Sequence, residues 1–383
     1  MNKQISLFFC GDFCSTPSTK LIEVSSELQD IISSCDFKVC NFEVPLKPSG
    51  VEPKPSRFFQ HDNAPAFLEE LGFNVFSFSN NHAFDYGVDG WRKTMNAFKN
   101  KPFGSGLYED AYNIKIVEKN GNKIGFLALC YAARFGVFDN LTDRKSYACA
   151  WINDLKVNHV IMEAKRKVDY LIVLPHDGIE YIDIPLPETI ARYRDFIDYG
   201  ADAVIGTHPH CPQGWETYKD KPFFYSLGNF LFNSKDDYSY RATNRPHWYE
   251  GLSVLLKIDN NEIVYEVINT LNEGNLRLSV NHSETRNYEN LELCQYLQDK
   301  KKYEEKLQEE CLRLTLSQEL PIIENTFHEY NLKKTIKHLV KYTLLKIMKR
   351  PLPNDSSLRY LLKNDTRRDL LLRGLKTHNY SIK

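Results

Sequence analysis

Long apolar runs are missing from this chain of 383 residues. No stretch reaches the roughly 18 consecutive apolar residues of a membrane-spanning helix, so no span is expected. The first apolar run, Ile5 to Cys10, is shorter than the apolar core of a secretory signal, and no small-residue cleavage site follows it. A dominant charge is missing too. Lys and Arg number 49 against 50 Asp and Glu, a net charge of −1 that gives no global pull toward nucleic acid or membrane. The nine cysteines are odd in number and include no Cys-x-x-Cys pair, so a disulfide framework is not expected. A reducing, cytoplasmic setting is the natural expectation. Internal repeats and low-complexity segments are absent.

What is present is a globular composition, 42% hydrophobic and 13% aromatic. The length fits one large α/β domain over residues 1–275 and an appendage over 276–383. In the appendage glycine becomes scarce and the pattern turns helical. Its run Leu332 to Arg350 holds seven basic residues and no acid, with Leu332, Ile336, Leu339, Val340 and Ile347 on one face. Such a helix packs on the domain with its lysines outward, or lies on an anionic membrane surface.

Through the large domain, short apolar runs end in polar side chains that bind metals. Ile5 to Cys10 ends in Gly11-Asp12, and Phe37 to Phe42 ends in Glu43. The strand Asn74 to Phe78 ends in Ser-Asn-Asn81-His82-Ala-Phe-Asp85. The run Tyr170 to Leu174 ends in Pro-His176-Asp-Gly-Ile-Glu180-Tyr181, and Ala203 to Ile205 ends in Gly-Thr-His208-Pro-His210. Phe223 to Phe230 reads as one further strand, with Gly228-Asn229 near its end. Hairpins are expected about Asn120-Gly121 and Asn260-Asn261, and helices over 19–35, 88–99, 154–167 and 187–199.

In α/β folds ligands collect at the carboxyl ends of strands. Asp12, Glu43, Asn81, His176, His208 and His210 are therefore candidate metal ligands. Their mixed oxygen and nitrogen donors suit one or two divalent ions, Mn, Fe or Zn, and a carboxylate can bridge a pair. Each residue also has a plain structural reading: Asp12 can cap a helix, Glu43 can be a solvated loop acid, and Asn81 can hold a turn. Six such coincidences at successive strand ends favour a shared site. Glu180 and Tyr181 could line a substrate cleft, and Ser226 and Asn229 could orient the histidines by hydrogen bonds. Arg57 and Arg134, on loops, could receive a phosphate or carboxylate, although most loop arginines are merely solvated.

Cys10-Gly-Asp, Cys40-Asn-Phe-Glu, Phe78-Ser-Asn-Asn-His-Ala-Phe-Asp-Tyr-Gly, His176-Asp-Gly-Ile-Glu-Tyr, Gly206-Thr-His-Pro-His and Tyr225-Ser-Leu-Gly-Asn-Phe run in that order over about residues 4–270. Together they resemble the bacterial capsule-synthesis CapA family, which is named for poly-γ-glutamate capsule production and is similar to calcineurin-like metallophosphoesterases. The resemblance implies a four-layer α/β/β/α sandwich with its site at one edge. It implies one metal on Asp12, Glu43 and His210 and another on Glu43, Asn81, His176 and His208. His82 would be the general acid, oriented by Asp85. The chain departs from metallophosphoesterases at Cys14, where those enzymes place a histidine, and at Glu43, where they place a bridging aspartate.

The function this implies is a metal-dependent, phosphoesterase-like hydrolase in capsule, exopolysaccharide or poly-γ-glutamate biosynthesis. Its substrate would be an anionic polymer or a phosphorylated small molecule. Its partners would be membrane-associated capsule synthesis proteins, placing the chain in the cytoplasm or at the inner membrane face. The alternative is a non-catalytic, polymer-binding part of a capsule synthesis or export complex.

Overall fold

The computed structural model describes residues 4–314, apart from 17, 53–57, 132–135, 139–142, 234–246, 261 and 274–276. Arg57, Arg134 and the basic run 332–350 lie outside the described residues. The strands in chain order are β1 (Ile5–Ser15), β2 (Glu23–Val24), β3 (Phe37–Phe42), β4 (Val75–Ser77), β5 (Ser105–Gly106), β6 (Lys115–Lys119), β7 (Asn122–Cys130) and β8 (Ala148–Cys149). They continue as β9 (Tyr170–His176), β10 (Ala203–Ile205), β11 (Trp215–Tyr218), β12 (Lys221–Phe224), β13 (Asn229–Asn233), β14 (Glu250–Asp259), β15 (Glu262–Glu273) and β16 (Arg277–Val280). Interleaved are helices α1 (Ser26–Ser33), α2 (Ala64–Glu70), α3 (Gly87–Ala97), α4 (Tyr108–Ala111), α5 (Lys156–Lys165) and α6 (Pro187–Asp198).

Side-chain alternation along the strands builds the layers. Ile5, Leu7 and Phe9 of β1 share a buried cluster with Ile124, Phe126 and Ala128 of β7 and with Ile172 and Leu174 of β9. That cluster is the seam between two sheets. Phe8, Cys10 and Phe13 of β1 turn the other way, into a cluster with Leu28 and Ile32 of α1 and Leu68 of α2. On the second sheet Leu127, Leu171 and Val173 also point away from the seam, into a cluster with Val157 and Ile161 of α5 and Tyr193 and Phe196 of α6. A period of two therefore produces the expected α/β/β/α sandwich. Each fully buried Leu or Phe in these layers contributes about 1.5–3 kcal/mol.

The first sheet runs β2-β16-β15-β14-β1-β3-β4, with β13 also paired to β1, and the second runs β11-β12-β10-β9-β7-β6. In the first sheet β1, β3 and β4 are mutually parallel, and in the second β7, β9, β10 and β12 are. Their carboxyl ends carry the candidate ligands.

Three readings are corrected. The expected end of the first strand at Cys10 is a change of partner. The strand pairs with β14 as far as Cys10↔Ser253 and with β13 from Asp12↔Asn229 onward. Gly11 permits the switch, because a Cβ there would lie 1.9 Å from the carbonyl oxygen of Gly228. The run Phe223 to Phe230 is two strands in different sheets, β12 and β13, and Gly228 (φ 68°) makes the crossing. The expected helix over 19–35 is shorter, since β2 precedes Ser25, whose hydroxyl caps α1 by accepting from the Leu28 amide.

A first compact unit extends to Asp299. β16 pairs with β15 and β2, and helix Glu284–Gln298 follows it within this unit. Helix Lys300–Leu314 begins the second unit. Among the described residues no helix is long and apolar enough to cross a membrane.

Candidate metal centre

Strand ends from both sheets place the six candidate ligands together. One ligand atom each from Asp12, Glu43 and His176 lie within 4.8 Å of one another, and so do atoms of Glu180, His208 and His210. The two triads join through His210, whose Nε2 is 3.8 Å from Glu43 Oε1 and whose Nδ1 is 3.6 Å from Asp12 Oδ2. Asn81 enters through its Oδ1, 2.9 Å from His176 Nε2. Two ligands on an ion with bonds of about 2.1 Å stand roughly 3–4 Å apart, so these spacings suit coordination.

Asp12, His176 and His210 are held in place by hydrogen bonds around the cluster. Asp12 is fully buried; its Oδ1 accepts from the Asn41 amide at 2.6 Å and its Oδ2 from the His208 backbone N–H at 3.0 Å. Asn229 gives its amide N–H to the Trp248 carbonyl at 2.9 Å, so its Oδ1 faces Nδ1 of His210 at 2.9 Å. Nδ1 therefore carries the proton, and Nε2 presents its lone pair. His176 Nδ1 lies 3.1 Å from the Thr207 hydroxyl and 3.2 Å from the Asn41 amide. His208 (φ 108°) and His210 (φ 57°) both occupy left-handed backbone, a cost of order 1–3 kcal/mol each that tends to gather at functional sites.

Electrostatically the site disfavours its own charges. Burial pushes the Asp12 carboxyl up to about 7, against the hydrogen bonds that lower it. Burial, then the charges of Asp12, Glu180 and Asp85, hold Glu43 well above the usual carboxylate range. Burial and neighbouring imidazoles keep His176 low and neutral. Among the described residues, neither oxygen of the wholly buried Glu43 carboxylate receives a hydrogen bond. Orphaned oxygens of that kind are costly in a protein interior and are satisfied by a cation. The residues present thus fit a divalent metal.

His82 and Asp85 form a separate pair, His82 Nδ1 to Asp85 Oδ2 at 2.8 Å, partly open to solvent. They stand near enough for their charges to act on His176 and Glu43. The Tyr181 ring stacks on His210, with centroids 6.2 Å apart. Ser226 is not at the histidines; its hydroxyl donates to the Cys211 carbonyl and accepts from the Gly228 amide, holding the crossing turn. Three positioning residues escaped the sequence reading: Asn41, Thr207 and Gln60. Gln60 donates to the carbonyls of Phe13 and Glu43 and accepts from the Ser15 amide, fixing the loop that carries Glu43. Asn41, directly before Phe42-Glu43, was visible as a signal; Gln60, beyond a Pro-rich loop, was not.

Fold and site together define an α/β/β/α protein with two adjoining groups of residues that could hold a metal ion. The profile of the bacterial capsule synthesis protein PGA_cap family matches residues 6–234, and the chain belongs to that family. It is 32% identical over 251 residues to the capsule biosynthesis protein CapA of Bacillus anthracis, covering 61% of each chain. It is 29% identical over 215 residues to the PGA biosynthesis protein CapA of Bacillus subtilis, covering 54% of this chain and 56% of that one. The matches thus span about three fifths of these relatives' length. Among solved structures, a phosphatase of Mycoplasma pneumoniae aligns over 71% of this chain and 95% of its own, with 20% identity and a TM-score of 0.44.

Proposed function

We propose that the chain is a metal-dependent hydrolase of phosphoesters that works in capsule or poly-γ-glutamate biosynthesis. The observation that carries this reading is the His82–Asp85 pair at 2.8 Å beside the ligand cluster. Metal-binding residues alone would serve a structural ion, whereas a carboxylate-oriented imidazole beside them can move a proton. A divalent ion or pair held by Asp12, Glu43, Asn81, His176, His208 and His210 would supply charge to the phosphoryl oxygens. His82 would protonate the departing oxygen, and Asp85 would hold the ring in register. The names of the relatives support the biosynthetic setting. The odd number of cysteines, with no Cys-x-x-Cys pair, supports a reducing, cytoplasmic location. Membrane-associated capsule synthesis proteins are the partners this reading implies.

A second reading is favoured by Cys14, which is buried with Val44, Phe232 and Trp248 where metallophosphoesterases have a histidine. On that reading the pocket holds an anionic chain without cleaving it. A panel of phosphomonoesters, phosphodiesters and poly-γ-glutamate, offered to manganese-loaded protein, separates the two. Turnover of an ester supports the hydrolase. Saturable polymer binding with no turnover supports the second reading.

A further inference from the structure

The two triads have unequal resources. The first ion site has the carboxylates of Asp12 and Glu43 beside His176. The second has two imidazoles, His208 and His210, and Cys14 stands where a metallophosphoesterase has a further histidine. That thiol lies in an apolar cluster with Val44, Phe232, Trp248 and Tyr249, and it belongs to neither ligand triad among the described residues. We propose that Glu180 is a ligand of the second ion, completing with His208 and His210 a site of two imidazoles and one carboxylate. This rests on the metal-dependent reading above.

Glu180 is at the cluster because the turn after β9 is tied to the loop after β10. Asp177 N–H donates to the Thr207 carbonyl at 3.0 Å, Thr207 N–H to the Pro175 carbonyl at 2.9 Å, and Tyr181 N–H to the Pro209 carbonyl at 2.8 Å. Those bonds bracket Glu180 on one side and His208 on the other, with His210 directly after Pro209. The turn itself uses left-handed backbone at Gly178 (φ 118°) and at Tyr181 (φ 68°). A side-chain contact on Gly178 is barred as well, since a Cβ there would meet the Pro209 ring at 2.9 Å. The result is a carboxylate oxygen within 4.8 Å of a ring nitrogen of each histidine. Bonds of about 2.1 Å close that span after a shift of roughly half an ångström.

The chemistry favours the assignment. Without Glu180 the second ion would have no carboxylate of its own and would depend on a share of Glu43. With it, the donor set matches the two-histidine, one-carboxylate composition that leaves coordination positions open for a substrate. Glu180 is partly exposed while Asp12 and Glu43 are fully buried, so the second ion is the one that faces solvent and substrate.

The test is the metal content of manganese-loaded protein after gel filtration, read by elemental analysis, with the manganese paramagnetic resonance spectrum as a second readout. Wild type is expected to hold two ions with a spin-coupled signal. Glu180→Gln is expected to hold one, with an uncoupled signal and an affinity for the second ion at least about 100-fold weaker, beyond what losing an outer-sphere partner costs. Glu180→Asp keeps the charge on a shorter arm and should recover part of that affinity. Should Glu180→Gln fail to fold, Glu180→Asp decides: second-ion affinity equal to wild type overturns the proposal. Two tightly bound ions in Glu180→Gln, or one ion in both proteins, also overturns it while leaving the metal reading intact. Wild type that binds no manganese refutes the metal reading itself.

Discussion

Nε2 of His176 lies 2.9 Å from Oδ1 of Asn81, a neighbour supplied by the other sheet. That separation is close to the edge of an octahedron with bonds of about 2.1 Å. With Nε2 deprotonated, as a bound ion requires, the two atoms would both present lone pairs to it. Asn81→Ala is expected to weaken binding of the first ion by at least about tenfold, and Asn81→Asp to restore it. Calorimetric titration checks this. The double variant Asn81→Ala/His176→Ala should lose less than the sum of the two, because both act on one ion.

Metal binding should release protons. Asp12 is pushed up to about 7 and Glu43 higher than its usual range by burial, so both hold protons under mildly acidic conditions. His176 is held low and is already neutral there. A metal therefore displaces carboxyl protons, and apparent affinity rises with pH through about 7. Titration at about pH 6.5 in buffers of different ionisation enthalpy should show net proton release. Equal heats and a flat pH dependence would contradict it.

His82→Ala should keep fold and metal. Against alkyl phosphoesters it is expected to lose about 10²–10⁴-fold in kcat, the usual worth of a general acid. Against a nitrophenyl ester, whose leaving group needs no proton, the loss should be much smaller. Asp85→Asn should shift rates in the same order with smaller size. Steady-state kinetics across leaving groups of graded basicity reads both.

Gly11→Ala tests the strand switch that carries Asp12. The added methyl would sit 1.9 Å from the Gly228 carbonyl oxygen, a backbone atom. A loss of about 3 kcal/mol is expected, the upper part of the range for overpacking. Denaturant unfolding measures it. A wild-type midpoint would show that β1 and β13 can move apart without cost.

Much of the site was legible because each ligand follows a short apolar run, and parallel strands deliver their carboxyl ends to one edge. Asp12, Glu43, Asn81, His176, His208 and His210 converge for that reason. Less legible was whatever depends on loop-to-loop bonding. Glu180 reads as a cleft residue until the Tyr181–Pro209 bond places it beside the histidines. Gln60 gives no pattern at all, since its three bonds are to backbone groups far away in sequence. The split of β12 from β13 was hidden because Phe-Phe-Tyr-Ser-Leu-Gly-Asn-Phe is apolar on both sides of the crossing, and only the positive φ of Gly228 reveals it. β16 carries no clear signal in the sequence because Arg277–Val280 is short and sits where the charge begins to rise.

The most direct test is the rate of phosphoester hydrolysis as a divalent ion is returned to chelated protein. The expected result is no turnover in the chelated state, a rise with each equivalent of manganese, and a plateau once the ligand cluster is filled. Undiminished turnover after chelation, or a filled cluster with no turnover of any mono- or diester, would contradict a metal-dependent hydrolase.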